Sequence, residues 1–175
     1  MAEDTTGAGE TAGDSGGENR SAVQEQGINI HTQYIKDLSV ENPNSPAIYM
    51  EMEEGPEVSV NLDVEAERLQ DRVYEVAINA TVTAKVKDKT AFAIELKYAG
   101  LTSLAEDVSD DQRETLVLIE TPRYLFPFAR DVISKASRDA GYPPLLINPV
   151  DFAQLYERQK ARQTSGEQGA EQAQH

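Results

Sequence analysis

From Val73 onward the even positions are apolar: Tyr74, Val76, Ile78, Ala80, Val82, Ala84 and Val86. The odd positions between them include Glu75, Asn79, Thr81, Thr83 and Lys85. A period of two sends alternate side chains to opposite faces of a strand, whereas a helical period would scatter these apolar residues around an axis. Lys87, Asp88 and Lys89 interrupt the pattern, which resumes with Phe92, Ile94, Leu96 and Tyr98 against Ala93, Glu95 and Lys97. The stretch 73–100 therefore predicts an antiparallel hairpin with one face to bury and one to meet water.

Two more strands flank it. Ile28, Ile30, Tyr34, Leu38 and Val40 share parity, with Gln33, Asp37, Ser39 and Glu41 on the other side and His31 and Ile35 as exceptions. Val58, Val60, Leu62 and Val64 alternate with Glu57, Ser59, Asn61, Asp63 and Glu65. Strands near 58–66, 72–86 and 90–100 form a meander, and the first strand joins an edge. Between the first two strands, Asn42-Pro43-Asn44-Ser45-Pro46 breaks the pattern, because proline lacks a donor and asparagine and serine favour turns. Ile48, Tyr49, Met50 and Met52 follow and read as a crossover lying over the body.

After Gly100 the period becomes helical. Ser109 or Asp110 caps a short helix carrying Leu116, Val117 and Ile119, and acids in its first turn suit the macrodipole. Pro122 opens a second helix with Leu125, Phe128, Ala129, Val132, Ile133 and Ala136 on one side, closed by Gly141 and Pro143-Pro144. A last helix begins near Asp151 with Phe152, Leu155 and Tyr156. Strands followed by helices give an α+β domain: a four-stranded antiparallel sheet with a long helix and a C-terminal helix packed on one face. This domain spans 27–163. Residues 1–26 and 164–175 are poor in apolar side chains and read as disordered tails, since they bury too little to offset the entropy of ordering.

Composition narrows the function. Asp and Glu number 31 against 16 Lys and Arg, a formal net charge of −15, which repels nucleic acid and anionic membrane and favours basic partners. The chain has no cysteine, which excludes disulfides and thiolate metal sites and fits the interior of a cell. Neither a signal peptide nor a membrane span is read, so the expected location is the cytoplasm. With only His31 and His175, histidine triads and multi-histidine metal sites are not available, and no phosphate-binding glycine loop appears. Asp107, Asp110, Asp111 and Glu114 fit acids at a helix N-terminus better than a calcium site. The reading is a binding protein, with no catalytic residues, metal or cofactor.

Two surfaces stand out. The outer sheet face carries Asp37, Glu41, Glu57, Asp63, Glu75 and Glu95, either an ordinary solvated surface or a dock for a basic partner. The crossover residues Tyr49, Met50 and Met52, joined by Phe152 and Tyr156, form either a satellite core or a groove for varied apolar segments, a use to which flexible methionine is suited.

Taken together, KDLSVENPNSP (36–46), VYEVAINATVTA (73–84), TAFAIELKYAG (90–100), TPRYLFPFARDVIS (121–134) and GYPPLLINPVDFAQLY (141–156) resemble SecB, the export chaperone family of Gram-negative bacteria. The resemblance covers about residues 28–160. It implies a homotetramer, a dimer of dimers, that holds unfolded secretory precursors without ATP and delivers them to the motor SecA. By motif position it places SecA contacts on Asp37, Glu41, Ala93 and Glu95, and assembly positions on Ile94, Leu96 and Tyr98. The family's client groove includes a tryptophan in the crossover, which this chain lacks. The alternative within the same fold is a chaperone that controls antitoxin folding in a toxin–antitoxin system.

Overall fold

The computed structural model describes residues 27–172, with side chains through residue 162. The expected N-terminal tail, 1–26, lies outside the described residues, as do the side chains of the expected C-terminal tail. Four long strands form one antiparallel sheet: β1 (Ile28–Glu41), β2 (Glu57–Gln70), β3 (Val73–Val86) and β4 (Lys89–Leu104), in the order β1-β4-β3-β2. The first strand thus joins the edge beside β4. The alternation of β3 and β4 is preserved across the register. Ala80 faces Leu96, Val82 faces Ile94 and Ala84 faces Phe92, all on the face that the helices cover.

Both β2 and β4 run further than their apolar patterns indicate. The charged stretch after Glu65 stays in the strand to Gln70, and Asp71-Arg72 makes the turn with Arg72 at φ 56°. An edge strand tolerates this, because one side of its backbone meets water and its side chains need not be apolar on either face. The Arg72 guanidinium also donates to the carbonyls of Ala105 and Val108, at 2.7 and 3.1 Å, tying this turn to the entrance of the helical half.

The parity of β1 is corrected by the structure. Register shifts lie between Ile30 and Thr32 and between Ile35 and Asp37. Each bulge inserts one residue and exchanges the faces beyond it. Tyr34 therefore lies opposite Ala99 on the open face, and Ile35 lies opposite Tyr98 on the helix face. The second shift restores the original parity, so Leu38 and Val40 face Leu96 and Ile94.

The crossover contains one short helix, α1 (Ala47–Glu51), whose Ile48 is buried. Beyond β4 the two expected helices are one rod. Helix α2 (Asp110–Thr115) passes through a π-helical turn (Leu116–Glu120) into α3 (Thr121–Asp139). Pro122 was expected to start a helix, but the π turn absorbs it. The missing N–H and the wider turn change the hydrogen-bond ladder there, and the Thr121 hydroxyl donates to the Leu116 carbonyl at 2.9 Å. The C-terminal helix α4 (Phe152–Gln172) begins where an Asp151 carboxylate oxygen accepts the Gln154 N–H at 3.1 Å, the N-cap arrangement.

The core lies between the sheet and the rod. Val76, Ile78, Val82, Ile94, Leu125 and Ile133 are wholly buried. Leu125 sits on Gly100, where an added Cβ would lie 2.8 Å from Leu125 Cδ2. The glycine is needed for that close approach. Gly100→Val is therefore expected to lower stability by about 1–3 kcal/mol through overpacking. Leu125→Ala is expected to cost about 2–5 kcal/mol through a cavity. Combined, they should cost less than their sum, because the valine fills the space the leucine leaves. Urea denaturation of the four proteins tests this coupling.

Candidate functional site

Among the described residues no helix covers the open face of the sheet, and its side chains follow the register in cross-sheet rows. Glu41 faces Ala93, and Ala93 faces Thr83; Ser39 faces Glu95, and Glu95 faces Thr81; Asp37 faces Lys97, and Lys97 faces Asn79. Glu95 therefore lies one strand in from β1, level with the midpoint between Asp37 and Glu41. With a rise of about 3.3 Å per residue, those two acids are roughly 13 Å apart. All three are exposed and Ala93 is half-buried. The four residues do share one surface.

Among the described residues, no ion pair is found for Asp37, Glu41 or Glu95. The neighbouring rows are different. Lys36 pairs with Glu75, which also accepts the Tyr34 hydroxyl at 2.5 Å, and Lys97 pairs with Glu65. The Lys36 ammonium, followed by the Tyr34 hydroxyl, holds the Glu75 carboxyl below its ordinary range, and Lys97 does the same for Glu65. The sequence did not reveal this network, because the β1 bulges hide the facing of Tyr34 and the partners lie 39 and 41 residues away.

The second predicted surface is divided. Tyr49 donates its hydroxyl to the Ala140 carbonyl at 2.9 Å, and Asn42 Nδ2 donates to the same oxygen at 3.1 Å. The Tyr49 and Tyr142 ring centroids are 5.3 Å apart, and those of Tyr142 and Phe92 are 4.7 Å apart. Burial, followed by the contact with Tyr49, raises the Tyr142 pKa above the usual phenol value. At Gly141, φ is 93° and a Cβ would meet the Tyr49 hydroxyl at 2.7 Å, so the latch requires glycine there. The crossover is thus fastened to the end of α3. Met50 projects into solvent at 92 % exposure, while Met52 packs partly against the core.

Phe152 does not join that surface. It is buried edge-on to Phe126, with centroids 5.7 Å apart, and anchors α4. It is a core side chain with no exposed ring to offer. Tyr156 donates to Glu114 at 2.5 Å beneath the Lys160 ammonium, in a cleft with Val64, Leu118 and Gln159. That cleft shares no residue with the one lined by Glu51, Glu53, Glu54 and Glu57 of the crossover side. The five predicted groove residues therefore do not form one cavity within a protomer.

The three predicted assembly positions are also displaced. Ile94, Leu96 and Tyr98 are buried inside the protomer. The exposed apolar row is one strand over: Tyr98, Leu96 and Ile94 pair with Ile35, Leu38 and Val40 of β1. With Val132, Ala136 and Ala140 of the long helix, these three line a cleft of about 530 Å³. Ile35 and Leu38 are 47 % and 39 % exposed. Parity misses Ile35 because of the bulge on either side of it. Among the described residues there is no cluster of acids and histidines arranged to hold a metal, and no helix is long and apolar enough to cross a membrane.

A family model described as preprotein translocase subunit SecB matches residues 21–163. The chain belongs to the SecB family. It is 41 % identical over 158 residues to the protein-export protein SecB of Rhodospirillum centenum, covering 87 % of this chain and 94 % of that protein. It is 46 % identical over 145 residues to the protein of that name from Burkholderia vietnamiensis, covering 82 % and 90 %. Among solved structures, the SecB-like chaperone of Mycobacterium tuberculosis, in complex with a peptide from the HigA1 antitoxin, superposes with a TM-score of 0.60 at 11 % identity. It covers 73 % of this chain and 93 % of that one. That likeness establishes the SecB-like α+β fold.

The ion pairs on the open face give a pH signature. Glu75 has a depressed folded-state pKa, so its stabilising contribution is fully present above its unfolded value of about 4.3. It is lost as pH falls through the lower folded value. Glu75→Gln should therefore lose less stability than the parent between about pH 5 and pH 3. Denaturation midpoints measured across that range test the sign.

Proposed function

We propose that this chain is a cytoplasmic, ATP-independent chaperone of protein export. It holds unfolded secretory precursors in a translocation-competent state and hands them to SecA. The observation that carries this reading is the apolar surface left exposed around a closed core. Met50, Leu146, Phe128, Val58 and Val60 are all exposed, although the protomer has buried Ile78, Ile94 and Leu125 completely. Exposed apolar side chains on several elements suit polypeptide segments of varied shape. The export relatives at 41 % and 46 % identity favour this role. The antitoxin-folding role has support only from a likeness of fold at 11 % identity. Binding and release need no covalent step, so the reading assigns no catalytic residue.

Client contact is placed on Met50, the crossover around Tyr49 and Met52, and the Tyr156 cleft. Several weak contacts along one long chain add through effective concentration. An unfolded precursor should bind in the absence of nucleotide, and the same precursor once folded should not. Met50→Ser should weaken binding about fivefold, the effect of losing one partly buried thioether, without changing the melting temperature. Titration calorimetry with reduced and native precursor decides this, and unchanged affinity for the serine variant would remove Met50 from the contact.

Assembly is placed on the β1 row and the adjoining face of α3, continued to a tetramer by a second contact. Leu38→Asp would put an unpaired charge into an apolar interface. It should give a smaller species by light scattering while retaining the circular dichroism of the fold. Leu96→Asp, at a side chain only 3 % exposed, should instead unfold the protomer. A wild type that is monomeric at assay concentration would overturn the assembly reading. The acidic face Asp37, Glu41 and Glu95 is placed as the dock for a basic segment of SecA, with Ala93 beside it.

A further inference from the structure

The acidic dock has two cations at its border, and both are turned away from it. Lys36 precedes Asp37 in β1, and Lys97 lies directly opposite Asp37 in the register. Directly opposite residues on one face have Cβ atoms about 5 Å apart, a separation that a lysine side chain spans. Lys36 instead crosses the sheet to Glu75 on β3, and Lys97 crosses to Glu65 on β2. The holding glutamates are themselves fixed: Tyr34 donates to Glu75, and Asn79 bonds to Glu65. The competing acid in the Lys97 row, Asp63, is occupied by the Gln159 amide.

We propose that Glu65 and Glu75 are positioning residues for the dock, acting by withdrawing Lys97 and Lys36 from Asp37 so that it stays free for a basic partner. This rests on the reading of Asp37, Glu41 and Glu95 as the dock. A free lysine opposite Asp37 would form the intramolecular pair at a local concentration that a partner in solution cannot match. The two glutamates thus favour binding without contacting the partner. Their removal should weaken binding beyond what the loss of two negative charges alone would do, because it also releases two cations beside Asp37.

The test uses the full chain and a fluorescent oligolysine peptide at low salt. Glu65→Gln with Glu75→Gln should weaken the peptide about three- to fivefold, the upper part of the range for an exposed ion pair at Asp37. Glu57→Gln with Glu67→Gln removes the same charge from the same face but releases neither lysine from a pair, and should change affinity less than about twofold. Adding Lys36→Met and Lys97→Met to the first pair should restore the parental affinity, because the released cations are gone. If the first pair matches the control, or if the quadruple variant stays weak, the inference is overturned; the second result would mean that the glutamates touch the peptide. Failure of the underlying reading looks different: reversing Asp37, Glu41 and Glu95 to Lys would then leave peptide affinity unchanged. Should the double glutamine variant melt below assay temperature, Glu65→Gln alone, compared with Glu67→Gln and with Glu65→Gln/Lys97→Met, makes the same distinction through Lys97.

Discussion

The approach of Leu125 to Gly100 sets the distance between the long helix and the sheet, and most of the molecule is arranged by that distance. Without a side chain at position 100, the leucine comes against the backbone of the central strand β4. The rod then packs its Leu125, Ala129 and Ile133 side over β3 and β4. A single rod roughly 10 Å across covers about two strands. The sheet has four. The outer strands are consequently left with apolar side chains that no described element covers fully, such as Ile35, Leu38 and Val40 on β1 and Val58 and Val60 on β2.

Among the described residues no helix covers the other face of the sheet, and polar side chains contribute to its stability. The cross-strand pairs Lys36 with Glu75 and Lys97 with Glu65 supply part of this, each spanning strands distant in sequence. Such pairs are worth little where they are fully exposed. Glu75 is better shielded, with its side chain 14 % exposed, so its pair with Lys36 suffers less screening. The pairs also divide the face electrically: charge is compensated around Glu65 and Glu75 and uncompensated around Asp37, Glu41 and Glu95. The three carboxylates without an ion pair therefore lie together at one end of the sheet.

Much of this fold was legible because alternation is a local property. The buried sets of β3 and β4, the position of β1 at an edge and the amphipathic helix from Leu125 to Ala136 were all readable from spacing. Two kinds of feature were not. The β1 bulges leave no mark except a broken pattern at His31 and Ile35, because whether an irregular residue is a defect or an insertion depends on the partner strand. The π turn before Pro122 is similar: proline in a helical pattern reads as a start, whereas in the fold the Thr121 N–H and hydroxyl both reach the Leu116 carbonyl and the rod runs on. The site was legible in part for the same reason. Asp37, Glu41 and Glu95 share the open face because the second β1 bulge restores the parity that spacing gave them, while Ala93 was indicated by the family resemblance alone. Phe152 was misplaced because an aromatic residue at the start of a helix gives no sign of whether it anchors the helix or faces outward. The Tyr49–Tyr142–Phe92 latch requires contacts across the whole domain.

Strand β1 ties the two proposed activities together. Its helix-side residues Ile35, Leu38 and Val40 form the uncovered apolar row, while Tyr34, Asp37 and Glu41 point to the charged face. Because a strand has a period of two, these sets can alternate correctly at both ends only if any insertion is repeated. One bulge alone would carry Leu38 and Val40 onto the acidic face and Asp37 and Glu41 into the apolar cleft. The second bulge, between Ile35 and Asp37, reverses the first within a few residues. The segment between them is the only part of the strand whose parity is inverted, and it is the part that delivers Tyr34 to Glu75. The two irregularities therefore make one device: they place the tyrosine that fixes Glu75 and keep both outer surfaces in register. An apolar surface and an acidic surface are held back to back on one edge strand.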